Sequence, residues 1–268
     1  MPDSGPALDL LSEDSAMVRF GDRIDARINA RVHRAASALR DAALPGIVDI
    51  APAYASLLIR FDAGAWRSTP GTLPHANLTK RIEPILAAAW QPEAQAADPA
   101  DANDDADRHA DAAGIVVIPV CYGDEYGPDL DSVAAHAGMS QAEVIERHTA
   151  GEYTVAMLGF APGFPYLLGL DDALHAPRLA MPRTRVPTGS VAIGGAQTGI
   201  YPRELPGGWN LVGRTPMQLF DPARDPPCLL APGQALRFRP IDPGEFAALS
   251  ASHAAGPDGP RDSHGHAA

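Results

Sequence analysis

Between Pro177 and Pro216 the sequence holds five arginines (Arg178, Arg183, Arg185, Arg203 and Arg214) against one acid, Glu204, in a chain of net charge −12. Such a local positive excess favours an anionic ligand. Arginine suits that task, because its planar fork can meet a carboxylate or phosphate with two parallel hydrogen bonds. Arg183 and Arg185 are separated by one residue, so on an extended strand they point to the same side. If that side looks inward, both reach one ligand; the alternative is a pair of solvent-facing arginines. Gly189, Gly194, Gly195 and Gly199 let backbone N–H groups approach a ligand closely, and Ser190, Gln197, Thr198 and Tyr201 add neutral donors and acceptors. The set suits an amide or a carboxylate.

Upstream, GFAPGFPYLLGL runs from Gly159 to Leu170. Its glycines take positive φ cheaply and its prolines lock their own φ, so the backbone is bent and Phe160, Phe164 and Tyr166 are presented on a preformed loop. The loop either walls a ligand pocket or forms a corner of a barrel. No catalytic residue is assignable. There is no G-x-G-x-x-G fingerprint, no G-x-S-x-G elbow around Ser190 and no H-E-x-x-H. His136 and His148 lie in helical patterns and read as packing or surface residues, and His175 is the nearest candidate base.

Composition narrows the function further. Lys80 is the only lysine and no glycine loop precedes it, so the chain by itself is not a P-loop ATPase. The acidic balance argues against nucleic acid, whose binding rests on phosphate neutralisation. No apolar run reaches the ~18 residues needed to span a bilayer. Cys121 and Cys228 have neither C-x-x-C nor zinc-ligand spacing, so no metal site or disulfide framework is expected and both read as small apolar residues. The acidic first residues lack a signal peptide's basic and apolar regions, which points to the cytoplasm.

The elements that must position these residues form two groups. Over 13–91 the pattern predicts a small α+β domain: a strand at MVRF, a helix carrying Ile24, Ile28, Val32 and Leu39, strands at IVDIAP and SLLIRF, and a helix carrying Leu78, Ile82, Ile85, Leu86 and Trp90. Residues 92–113, rich in Ala, Asp and Pro, read as an acidic flexible linker. Over 114–241 a strand at GIVVIPVCY and two short helices lead into β-rich runs (YTVAMLGF, VAIGG, TGIYP, WNLVG, MQLF, ALRFRP) separated by Gly and Pro turns. That spacing predicts a mainly-β barrel with a cyclophilin-like architecture. Ser140 and Glu143 stand at capping-box positions of the second helix. Residues 242–268 read as a disordered tail.

Four segments carry a family resemblance: VVIPVCYGDEYGPDL, MLGFAPGFPYLLGL, PRTRVPTGSVAIGGAQTGIYP and PGGWNLVGRTP. In order and content they resemble the family of 5-oxoprolinase B subunits, also described as KipI-type proteins, allophanate hydrolase subunit 1 and carboxyltransferase subdomains C and D. The resemblance implies an α/β domain followed by a cyclophilin-like barrel, working with a 5-oxoprolinase C subunit of related barrel fold and with an A subunit. That assembly would cleave 5-oxo-L-proline to L-glutamate with ATP as the cofactor of the complex. Under it, Phe160, Phe164, Arg183, Arg185, Ser190, Gln197, Tyr201 and Arg214 would line the substrate site. The alternatives within the family are an inhibitor of a sensor histidine kinase and a component of a urea- or allophanate-processing carboxyltransferase. Gly194 departs from the pattern, standing where alanine is commoner.

Overall fold

The computed structural model describes residues 5–67, 74–90 and 114–254. They fall into two compact units, one of the described residues up to 114 with 154–158 and 231–235, the other of 115–153, 159–230 and the described residues from 236. The region expected to be a linker, 92–113, lies outside the described residues, as does 255–268 of the expected tail.

The first unit is a four-stranded antiparallel sheet in the order β1-β2-β4-β3, with β1 Ala7–Ser12, β2 Ser15–Arg19, β3 Ile47–Pro52 and β4 Ser56–Phe61. Alternation along β2 and β4 turns Ala16, Val18, Leu57, Ile59 and Phe61 to one side. There they meet Val32, Ala35, Ala36 and Leu39 of helix α1 (Ala26–Asp41) and Leu78, Ile82 and Leu86 of helix α3 (Pro74–Trp90). A single turn, α2 (Ala63–Trp66), adds Trp66 to this core. Ile24 does not belong to α1 as expected. Asp25 caps the helix by accepting from the N–H groups of Arg27 and Ile28 at 2.9 and 3.1 Å, which leaves Ile24 before the first turn and exposed. Strand β1 begins before residue 13, the expected start of the domain. Its half-exposed edge position left only a weak alternation to read.

A closed barrel, β10-β7-β6-β13-β5-β12-β9, draws most of its strand residues from the second unit, and β9 and β10 complete the ring. Its strands are β5 Val116–Tyr122, β6 Tyr153–Leu158, β7 Pro165–Leu168, β9 Ser190–Gly194, β10 Gln197–Ile200, β12 Asn210–Arg214 and β13 Ala235–Pro240. Strands β5 and β13 run parallel. Strands β8 (Arg183–Val186) and β11 (Leu205–Gly207) form a separate two-stranded ribbon. Helices α4 (Leu130–Ala137) and α5 (Gln141–Ala150) precede β6, and α5 opens on the expected capping box between Ser140 and Glu143. The run MQLF is not a strand. Phe220 makes an isolated antiparallel bridge to Cys228, flanked by backbone bonds from the Leu229 N–H to the Leu219 carbonyl and from the Asp221 N–H to the Pro227 carbonyl, and Arg224 also donates to the carbonyls of Gln218 and Leu219. A helix, α6 (Pro243–Ala254), occupies the first part of the expected tail.

Candidate functional site

Register across four barrel strands places Tyr166 (β7), Gly199 (β10), Ala192 (β9) and Leu211 (β12) in one row. The adjacent row is Leu167, Thr198, Ile193 and Asn210, and because side chains alternate, the two rows face opposite ways. The second row looks into the lumen. Thr198 meets His148 of α5 there, and the His148 ring also packs against Tyr122, Tyr153 and Phe238, from strands on the far side of the ring. Thr198 Oγ1 donates to the Ala192 carbonyl at 3.0 Å, so toward His148 Nε2, at 3.3 Å, it acts as acceptor. His148 is therefore the Nε2–H tautomer, and its Nδ1 accepts from the Tyr122 hydroxyl at 2.8 Å. Full burial pushes its pKa down to about 3, so the ring is neutral. This histidine is a packing residue of the lumen.

The Tyr166 row is thus on the outer wall. Phe164, Tyr201 and Trp209 are buried there with Ala161, Ala192 and Leu211, while Val186 of β8 and Leu205 of β11 bring the ribbon over them. Phe164 is the hub: its ring stands edge-on to Phe160, Tyr201 and Trp209 at centroid distances of 5.4, 5.2 and 5.8 Å. Two glycines make the room. A Cβ on Gly199 would lie 2.7 Å from the Pro165 carbonyl oxygen and 3.0 Å from the Phe164 ring, and one on Gly194 would lie 2.5 Å from Trp209. These glycines seat aromatic rings, a different use from the open backbone N–H groups expected of them. Gly199→Ala is expected to cost about 1 to 3 kcal/mol through overpacking. Urea unfolding measures it, and near-UV circular dichroism should report the displaced Phe164 and Tyr201. Phe160 sits at the mouth of the cluster, 60% exposed with φ +65°, a left-handed conformation a bulky residue adopts only when its surroundings impose it.

The polar groups beside this wall come from three places. Arg178 lies over the Trp209 ring at 5.7 Å. Arg183, on β8, donates through Nη2 to Asp129 Oδ1 at 2.7 Å, while its Nη1 is buried without a partner among the described residues. Ser190 Oγ, fully buried on β9, also lacks a partner among them. Burial raises the pKa of the Tyr201 hydroxyl, Tyr166 adds to the rise, and Arg178 and Arg183 pull against it. Tyr201 is therefore a neutral phenol within the field of two cations.

The eight residues expected at a substrate site do not all converge. Phe160, Phe164 and Tyr201 touch, and Arg183 stands in the same neighbourhood. Strand parity puts Ser190 and Gln197 on the outer side with Tyr201. Arg185 instead makes a two-pronged, exposed ion pair with Glu204, at 2.8 and 3.0 Å, and the Nε of Arg214 donates to the Thr188 carbonyl at 2.9 Å. Asp129 and Trp209 were missed. Asp129 precedes a helical run and passes for a capping residue in sequence, yet it makes no side-chain cap bond; its carboxylate goes to Arg183 and to the Leu211 N–H, partners 54 and 82 residues away.

The family described as carboxyltransferase domain, subdomain C and D, matches residues 6–230. The B subunit of 5-oxoprolinase from Bacillus subtilis is 39% identical over 244 residues, 90% of this chain and 95% of that protein. The Escherichia coli O157:H7 protein of the same name is 57% identical over 129 residues, 48% of this chain and 59% of its own length. Among solved structures, TTHA0988 superposes with a TM-score of 0.66 at 35% identity over 85% of this chain, which spans 40% of that longer chain. The urea amidolyase of K. lactis gives a TM-score of 0.67 at 20% identity over 92% of this chain and 16% of its own, a likeness of fold. A match running through nearly the whole of the Bacillus subtilis relative leaves one conclusion: the chain belongs to the family of 5-oxoprolinase B subunits, built on carboxyltransferase subdomains C and D.

Proposed function

We propose that the chain is the B subunit of an ATP-dependent 5-oxoprolinase, helping to cleave 5-oxo-L-proline to L-glutamate with ATP hydrolysis, and that it acts only with the A and C subunits of that enzyme. The observation that carries this reading is the 39% identity through 95% of a relative of that name. The outer-wall site supports it. Phe160, exposed at the mouth of an otherwise buried aromatic cluster that lies in the field of Arg178 and Arg183, suits a small ring bearing a carboxylate. Opening an unstrained lactam requires activation, and ATP supplies it by phosphorylating the amide oxygen. Within this chain the role of the arginines is to hold carboxylate or phosphoryl charge, as preorganised donors stabilise developing charge. ATP is assigned to the complex, since the sequence has no P-loop. Both cysteines are free, which supports a cytoplasmic enzyme; no helix among the described residues is long and apolar enough to cross a membrane.

The test combines this chain with the A and C subunits and measures ATP-dependent glutamate release from 5-oxoproline. Omitting the chain should abolish release, and undiminished activity without it would exclude the proposal. Replacing Arg183 by alanine should lower kcat/KM by about 10-fold or more, the loss of a hydrogen bond to a charged group. Wild-type activity with both Arg183 and Arg185 replaced would remove the arginines from the site.

A further inference from the structure

We infer that Asp129 is a positioning residue that holds Arg183 to grip the ligand carboxylate, so that this pair separates a carboxylated lactam from the bare lactam ring. The inference rests on 5-oxoproline binding at the outer wall. Among the arginines read as anion ligands, only Arg183 combines a fixed anchor with sheltered, unused donors. Arg185 is committed to Glu204 on both prongs in the open, and Arg214 is tied to the Thr188 carbonyl.

Asp129 is clamped to β12. Its own N–H donates to the Leu211 carbonyl at 3.0 Å, and its Oδ2 accepts from the Leu211 N–H at 2.7 Å. Its remaining oxygen, Oδ1, takes Arg183 Nη2 at 2.7 Å, and the residue is only 8% exposed. A guanidinium is planar, so fixing one corner against a rigid carboxylate fixes the direction of its other N–H groups. On Nη1 those groups are buried with no acceptor among the described residues, an arrangement that is costly until an acceptor arrives. Leu211, which carries Asp129, packs in the same cluster as Phe164, Tyr201 and Trp209, so the anchor and the aromatic wall share a strand. Because that wall is itself buried, a ligand ring would lie on the exposed Phe160 at its mouth, with a carboxylate on its edge meeting Arg183 from the part of its side chain that is accessible. Asp129 contacts neither ring nor carboxylate in this arrangement and acts through Arg183.

Calorimetry on the complex with the A and C subunits, without ATP, tests the assignment by comparing 5-oxoproline with 2-pyrrolidinone, the same ring without its carboxylate. The wild-type complex should prefer 5-oxoproline. Arg183→Ala should weaken 5-oxoproline by about 10- to 100-fold, the value of a charge-assisted hydrogen bond, and leave 2-pyrrolidinone unchanged. Asp129→Asn keeps an oxygen for the Leu211 N–H and so keeps the fold, which thermal melting checks. It should weaken 5-oxoproline by roughly 3- to 10-fold and have no further effect once Arg183 is alanine. Unaltered discrimination in Arg183→Ala would overturn the inference. So would an equal Asp129→Asn loss with and without Arg183, since that marks a structural role alone. A wild-type complex that binds neither ring and releases no glutamate instead removes the functional reading itself, and this assignment with it.

Discussion

Gly127→Ala is expected to lower the stability of the barrel unit by about 3 kcal/mol or more, beyond the usual range for overpacking because no side chain can rotate away. A Cβ there would lie 2.0 Å from the Val212 carbonyl oxygen, 2.3 Å from its carbon and 2.8 Å from the Gly213 nitrogen, all backbone of β12. The turn cannot lift off without loss, because the Gly123 N–H donates to the Val212 carbonyl and the Asp129 N–H to the Leu211 carbonyl. Any relaxation moves Asp129, and with it Arg183. Under the assignment proposed above, loss of 5-oxoproline binding should therefore accompany the loss of stability in whatever folds. Gly138→Asn is the control. Gly138 has φ +68° at the end of α4 and open space around it, and asparagine tolerates that conformation, so a change within about 1 kcal/mol is expected. Urea unfolding followed by far-UV circular dichroism compares the two. A Gly127→Ala loss no larger than that of Gly138→Asn would mean that β12 yields to the turn.

The second large effect concerns acid. His148 is neutral in the folded chain, with burial holding its pKa near about 3, and in the unfolded chain it returns to the ordinary value of about 6.5. The unfolded state therefore binds the extra proton between those values. The stabilisation from keeping the ring neutral is complete above about pH 6.5 and falls as the pH drops through the window toward 3. At about 1.4 kcal/mol per pH unit, lowering the pH from 6.5 to 5 should cost about 2 kcal/mol from this residue. His148→Phe keeps a ring against Phe238, whose centroid lies 4.5 Å away, and removes the titration. It also strips the Tyr122 hydroxyl of its acceptor and Thr198 of its second partner, so the variant should be less stable at pH 7 by about 1 to 3 kcal/mol yet flatter between pH 7 and 5. Urea unfolding of both proteins across that range gives the two slopes. Equal slopes would show that the loss of stability in acid comes from other groups.

Much of the architecture was legible in the sequence, because it rests on local periodicity. The apolar spacing of Val32 and Leu39, and of Leu78, Ile82 and Leu86, determined which faces of α1 and α3 meet the sheet. Ser140 and Glu143, three residues apart, determined where α5 begins. Elements whose pairing is non-local were harder to read. The ribbon of β8 and β11 joins segments about twenty residues apart through mostly exposed positions, and β1 is an edge strand with little alternation.

For the candidate site the division is sharper. Residue types and spacing by themselves determined a bent aromatic loop at Gly159–Leu170 and an excess of arginine over acid beyond Pro177, and so a preference for small anions. Only the tertiary structure decided which arginine keeps donors to spare. Arg183 and Arg185 are equivalent in sequence, two places apart on one strand. One meets a buried carboxylate brought from residue 129, and the other meets an exposed one from residue 204. The structure also decided what the glycines are for, because the rings of Phe164 and Trp209 that fill the space over Gly199 and Gly194 arrive from the segments just before β7 and β12. Charge and backbone freedom are properties of a residue, whereas the partner that uses them is set by strand register and chain reversal, which no local pattern records.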